Sequence, residues 1–163
     1  MFEAWHDLVR PDDEVWHLGD LMLPSWKDSY YCQQRVKALP GVKHLLRGNH
    51  DHRLKPPLLA ELGFEMHREN VWLDQMGMTV VLSHFPVTDP RPFNLNVHGH
   101  THNNPYPSTL RNTKRSYRNI SVEMTDYKPV RLGEALAGRA GSTPAAQGFW
   151  PDREDPERVR VKR

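Results

Sequence analysis

The sequence predicts an α/β protein in which a mixed sheet is layered with helices, and three observations carry that expectation. Two short apolar runs, residues 14–18 (EVWHL) and 42–46 (VKHLL), each close near a glycine and are followed by helix-like stretches. Two alternating segments, 71–75 (VWLDQ) and 78–83 (MTVVLS), flank Met76-Gly77, the mark of an antiparallel hairpin. The length of 163 residues suits one compact domain with a modest tail and excludes a large barrel.

The elements follow in order. The run 14–18 reads as a buried strand that turns at Gly19. Ser25 is placed to cap a helix over 26–39, with Tyr30, Tyr31, Gln34, Val36 and Leu39 as its imperfect apolar face and Pro40-Gly41 as its stop. The strand 42–46 runs on to Gly48, and prolines 56 and 57 open a short helix that ends at Leu62. From Glu65 onward the pattern changes to the hairpin, and Leu95–Val97 is a brief strand just before Gly99. Residues 118–124 alternate, with Ile120, Val122 and Met124 on one face, so a strand is expected there. Asp126-Tyr127-Lys128-Pro129 then turns the chain into a last helix near 132–138. Trp5, Trp16, Trp26 and Trp72 read as core. After Gly138 the composition becomes small and polar and then charge-dense. This divides the chain into a domain at 1–138 and a disordered charged tail at 139–163.

Composition narrows the function. An apolar fraction of 37%, a charged fraction of 26% and a mean hydropathy of −0.74 describe a soluble chain that can still build a core. Twenty-two Lys and Arg against 20 Asp and Glu leave +2, too weak a field to capture nucleic acid or a membrane surface. The tail is mixed as well, with six basic against five acidic residues from Gly133 on. The single Cys32 excludes an internal disulfide and a multi-cysteine zinc cluster, in keeping with a reducing cytoplasm. No stretch approaches the roughly 20 apolar residues of a membrane span, and the N-terminus lacks the apolar run of a signal peptide. All 10 histidines lie at or before residue 102, and that asymmetry points to a site.

Four expected strand ends run into metal-capable residues: Gly19-Asp20, Gly48-Asn49-His50-Asp51, His84, and His98-Gly99-His100-Thr101-His102. In one layered sheet these ends converge. Asp20 supplies a hard anionic oxygen, Asn49 a neutral carbonyl oxygen, and His84, His100 and His102 imidazole nitrogen. Nitrogen and oxygen without thiolate suit zinc, manganese, iron or nickel and disfavour a purely structural zinc; manganese is the ion expected. In extended backbone residues two apart point the same way, so His100 and His102 could each address one member of an ion pair about 4 Å across. Gly19, Gly48 and Gly99 are expected to supply backbone angles that other residues resist. Alone, each piece has a plainer reading. Gly-Asp is commonly a turn, residues 49–52 could be a polar turn with Asp51 capping a helix, and His84 could be a core histidine. In this order, each behind a strand, they read as one site. His17 and His98 are expected to alternate away from it as supporting or packing residues, and His6, His44, His52 and His67 carry no assignment.

Two other metal motifs fail. His98-x-His100-x-His102 lacks the Asp-His of the metallo-β-lactamase box, and an amidohydrolase barrel needs about 250 residues.

The blocks Gly19-Asp20, Gly48-Asn49-His50-Asp51, His84 and Gly99-His100-Thr101-His102 resemble, in order and loop length, the calcineurin-like metallophosphoesterases. With the surrounding RPDDEVWHLGD, HFP and NISVEMTDYKPVRL, the likeness to a small prokaryotic and phage branch covers about residues 8–135. The resemblance implies a β-sandwich of two mixed sheets flanked by helices, with a dinuclear centre of divalent ions at the strand ends. It implies that Asp20 bridges both ions, that Asn49, His84 and His100 complete one site, and that His102 belongs to the other. His50 would then act as acid or electrostatic helper at the leaving group, oriented by Asp51. The implied activity is hydrolysis of a phosphomono- or phosphodiester, on a small molecule or nucleotide, by a metal-activated hydroxide.

The family pattern also opens with a strand carrying Asp-x-His, and none precedes Gly19 here. That sets the expectation of a chain beginning at an internal methionine with its first strand missing. Such a chain keeps one well-furnished ion site and only Asp20 and His102 for the second. The competing expectation is a catalytically impaired or inactive metal-binding module or fragment. Arg91, Arg111, Lys114 and Arg115 are candidate phosphate contacts in the loops 86–96 and 103–117.

Overall fold

The computed structural model describes residues 1–22, 29–88, 91–104 and 116–138. Ser25, Trp26, Arg111, Lys114, Arg115 and the tail 139–163 lie outside the described residues. The chain runs through helix α1 (Phe2–Leu8), strand β1 (Glu14–His17), α2 (Tyr30–Lys37), β2 (Val42–Leu46), a 3-10 turn at Asp51–Arg53, and α3 (Pro56–Glu61). It continues through β3 (Phe64–His67), β4 (Val71–Gln75), β5 (Met78–Ser83), β6 (Leu95–His98), β7 (Ser116–Asn119), a 3-10 turn at Val122–Met124, and α4 (Leu132–Leu136).

Two sheets form. One has the order β1-β2-β3 and the other β4-β5-β6-β7. The first is parallel throughout its described strands, because α2 and α3 return the chain to the same end each time. The second is mixed: β4 pairs antiparallel with β5, while β5, β6 and β7 are parallel. The expected layered α/β architecture with two sheets is therefore present, although only one of the two is mixed.

Strand periodicity sorts the side chains between two cores. On one face of the first sheet, Leu45 and Phe64 pack with Trp5, Val36, Leu39, Leu59 and Leu62 from the helical side. On its other face Leu18 and Leu46 meet Val80, Leu82, Leu95 and Val97 of the second sheet. Each such fully buried aliphatic side chain contributes roughly 1.5–3 kcal/mol of burial free energy. Lys43, though buried, spends its ammonium on the last carbonyls of α2, reaching Val36 O at 3.3 Å and Lys37 O at 3.2 Å. Burial lowers its pKa, and the carbonyl end of the helix is where a cation is best placed.

Most elements fall where the sequence puts them, and the differences are local. The cap of α2 is Ser29, whose hydroxyl accepts from Cys32 N at 3.4 Å. The expected strand over 118–124 ends at Asn119, because the Asn119 side chain accepts from Ser121 N at 2.9 Å and turns the backbone into a 3-10 turn. Strand β3 and helix α1 were not expected from periodicity, β3 having only four residues of mixed polarity. The Met76-Gly77 hairpin turns with φ of 54° and 74°, both left-handed as a two-residue turn of this twist requires. Trp5 is buried, while Trp16 and Trp72 are half-buried. Among the described residues no helix is long and apolar enough to cross a membrane.

Candidate metal centre

The ends of β1, β2, β5 and β6 deliver their following residues to one place. His84, just beyond β5, is buried, and its Nδ1 lies 2.7 Å from the Leu18 carbonyl. A carbonyl oxygen only accepts, so Nδ1 carries a proton and Nε2 is the ring nitrogen turned towards the other strand ends. Around Nε2 stand Asn49 Oδ1 at 2.8 Å, His100 Nδ1 at 3.1 Å and Asp20 Oδ2 at 3.4 Å. Two of those three neighbours are oxygen acceptors. Donors held at about 2.0–2.2 Å from a shared ion sit roughly 2.9–3.5 Å from one another, which is the spacing seen here. Asp20, His84 and His100 are thus a group that could hold a metal ion, with Asn49 beside them.

The backbone pays for this convergence with unusual conformations. Asp20 has φ 56°, His100 φ 64° and His102 φ 48°, left-handed positions that cost non-glycine residues about 1–3 kcal/mol each. Of the three glycines expected to supply special angles, only Gly19 does, at φ 94°. Gly48 matters for space instead: a Cβ there would fall on the Asp20 carboxylate, and one on Gly19 would lie 2.8 Å from Gly48 N. Gly99 is milder, since its Cβ would stand 3.3 Å from Leu18 O.

Asp51 is the buried tie. Its Oδ2 accepts from Asp20 N at 2.7 Å and Gly48 N at 2.8 Å, and its Oδ1 from Leu21 N at 2.9 Å. It joins the loop after β1 to the loop after β2, while His50 N donates to Asp20 Oδ1 at 2.8 Å and fixes the carboxylate. The implied orientation of the His50 ring by Asp51 is not what the carboxylate does. It is spent on backbone N–H groups, and the exposed His50 ring makes no hydrogen bond to it among the described residues.

His102 is not brought into the group. Left-handed φ at both His100 and His102 replaces the extended backbone that would have aimed them alike, and His102 Nδ1 pairs with Glu123 Oε1 at 2.8 Å. Burial alone would raise the Glu123 carboxyl. Hydrogen bonds from its own backbone and from His102, together with the His102 charge, outweigh that and hold it below its ordinary value. Burial and the neighbouring His84 lower the pKa of His100 against the pull of Asp20. His98 is fully buried and pushed down to about 4, chiefly by desolvation. His17 is likewise lowered by burial, against the pull of Asp51 and Asp20.

Residues without a motif complete the surroundings. Phe85, exposed at 48%, packs on the rings of His84 and His100 with centroids 4.7 and 4.3 Å away. Asn96, fully buried, holds the segment after β5 by accepting from Val87 N at 2.8 Å and donating to Ser83 Oγ at 2.8 Å. Neither Glu123 nor Asn96 carries a local signal, while the adjacency of Phe85 to His84 was readable. Of the four candidate basic contacts only Arg91 is described, and its guanidinium lies 4.1 Å over the Trp72 ring.

No family model matches the chain. It is 33% identical over 140 residues to the uncharacterized protein MJ1445 of Methanocaldococcus jannaschii, covering 81% of this chain and 69% of that protein. It is 32% identical to the gene 66 protein of Mycobacterium phage D29, covering 69% of each. Among solved structures, a protein of unknown function from Aquifex aeolicus, AQ665, overlays with a TM-score of 0.66 at 28% identity, covering 79% of this chain and 77% of that one.

Proposed function

The chain belongs to the family that includes MJ1445 and the mycobacteriophage gene 66 protein, and we propose that it is a metal-dependent phosphoesterase centred on Asp20, Asn49, His84 and His100. The observation that carries this reading is the convergence of Asn49 Oδ1, His100 Nδ1 and Asp20 Oδ2 within 2.8–3.4 Å of His84 Nε2, a spacing that suits donors sharing one cation. A divalent ion held there, for which manganese is our candidate, would supply Lewis acidity toward a phosphoryl oxygen and toward water.

The chain's own residues do the rest. Leu18 O fixes the His84 tautomer so that Nε2 stays available. Asp51 acts as a positioning residue through the three backbone N–H groups it gathers, and His50 N aims the Asp20 carboxylate. The exposed His50 imidazole stands at the rim, where it can give a proton to a departing alkoxide. Phe85 offers one flat wall against which an aryl or base leaving group can lie. The substrate class is therefore a phosphomono- or phosphodiester of a small molecule or nucleotide, handled by residues 1–138.

Hydrolysis of an aryl phosphodiester with added manganese tests this. Turnover should fall about 10²–10³-fold in His84→Ala and about 10²-fold in His50→Ala. Manganese binding without turnover in the wild type would leave a metal-binding module instead.

A further inference from the structure

A second group of donors lies apart from the strand-end loops, inside the first sheet. His44 on β2 and Glu65 on β3 are register partners, and His67 is two residues further along β3 on the same side. His44 Nδ1 is 3.2 Å from His67 Nε2. The two Glu65 carboxylate oxygens lie 3.6 Å from His44 Nδ1 and 3.8 Å from His67 Nε2. The three side chains form a group that could hold a metal ion.

From this geometry we infer a second metal site, His44–Glu65–His67, selective for a borderline divalent ion such as zinc. Bonds of 2.0–2.2 Å in a tetrahedron place neighbouring donors about 3.3–3.6 Å apart; the two ring nitrogens stand at 3.2 Å, each ring nitrogen has one Glu65 oxygen at 3.6 or 3.8 Å, and one donor atom from each residue lies within 4.8 Å of the others. Two imidazoles and one carboxylate, with no carbonyl or hydroxyl donor, suit zinc better than manganese. The site is also held in place. Trp16, the register partner of His44 on β1, stacks on its ring at 4.3 Å with planes 15° apart and touches the His67 ring at 4.9 Å. His44 is 1% exposed, whereas the side chains of His67 and Glu65 are 26% and 56% exposed. The ion therefore has an entry path from the β3 side. Because β3 lies at the edge of its sheet among the described residues, an ion there ties that edge to β2.

The test uses the full chain, stripped by chelator and titrated with zinc under equilibrium dialysis. Cobalt quenching of tryptophan fluorescence, which Trp16 should dominate, is read in parallel. The wild type should hold close to two zinc ions. His67→Ala should hold one and lose the quench, while Asp20→Asn should hold one and keep it. Glu65→Gln, at an exposed carboxylate where the fold is not at stake, should weaken the quenching ion by at least about tenfold. If Glu65→Gln and a folded His67→Ala bind zinc as the wild type does, the trio is only a hydrogen-bonded histidine pair and the inference falls. Loss of binding confined to Asp20→Asn would overturn it too, while leaving the strand-end centre standing.

Discussion

The two histidine groups are built by opposite means. The strand-end group is assembled by loops: Asp20 and His100 sit in left-handed backbone, Gly48 leaves out a Cβ, and Asp51 gathers three backbone N–H groups. The His44 group needs none of this. Its ligands His44 and Glu65 are register partners, His67 follows on the same strand face, and Trp16 stacks on the His44 ring. A centre made by loops stores strain and must be held by buried polar ties, whereas one made by a sheet inherits its spacing from the strand pleat. The first should therefore be fragile to changes in its buried ties, and the second to changes in its own ligands and in the indole stacked on them.

Asp51→Ala should give the largest effect. It leaves the N–H groups of Asp20, Leu21 and Gly48 without their acceptor in a site where Asp51 is only 1% exposed. Hydrogen bonds to a charged group contribute about 1.5–3 kcal/mol each, with water recovering part, so a loss of about 3–5 kcal/mol in urea unfolding is expected. Asp51→Asn, which keeps one acceptor oxygen, should fall between. In either variant that remains folded, manganese affinity should drop while zinc binding by His67 and its partners stays as in the wild type. Equal losses at both groups would erase the contrast.

Trp16→Leu is the reciprocal change and a smaller one. Removing the stack should cost about 0.5–1.5 kcal/mol beyond lost area and loosen the His44 ring. Phosphodiester turnover should not respond, and the zinc affinity of the sheet group should.

The same contrast explains what could be read from the chain. The loop group was legible because each ligand sits beside a glycine or a second polar residue at a strand end, as in Gly19-Asp20 or Gly48-Asn49-His50-Asp51. The hairpin, β2 and α3 were legible because periodicity and turn residues agree. The His44 group was not, since VKHLL and FEMH look like ordinary strands until the register sets His44 against Glu65. The direction taken by His102 was not legible for a related reason. Nothing in His100-Thr101-His102 announces left-handed backbone, so an extended aim was expected where the chain turns towards Glu123. Asp51 was found, but its partners were not, because backbone N–H groups leave no trace in residue types.

Glu123→Gln probes that rim with the smallest effect. The Glu123 carboxyl is held below its ordinary value of 4.5, so it stays ionised further into acid in the folded chain than in the unfolded one. Its contribution is complete above about pH 4.5 and is lost as pH falls through the lower folded value. With His102 60% exposed and Glu123 29% exposed, screening limits the pair to under about 1 kcal/mol. Wild type and variant should therefore differ slightly in urea midpoint at pH 6 and converge in acid, with manganese affinity unchanged. A gap that persists at low pH would mean that Glu123 holds the loop by packing rather than by charge. A fall in manganese affinity would instead put His102, through Glu123, back among the ligands of the strand-end centre.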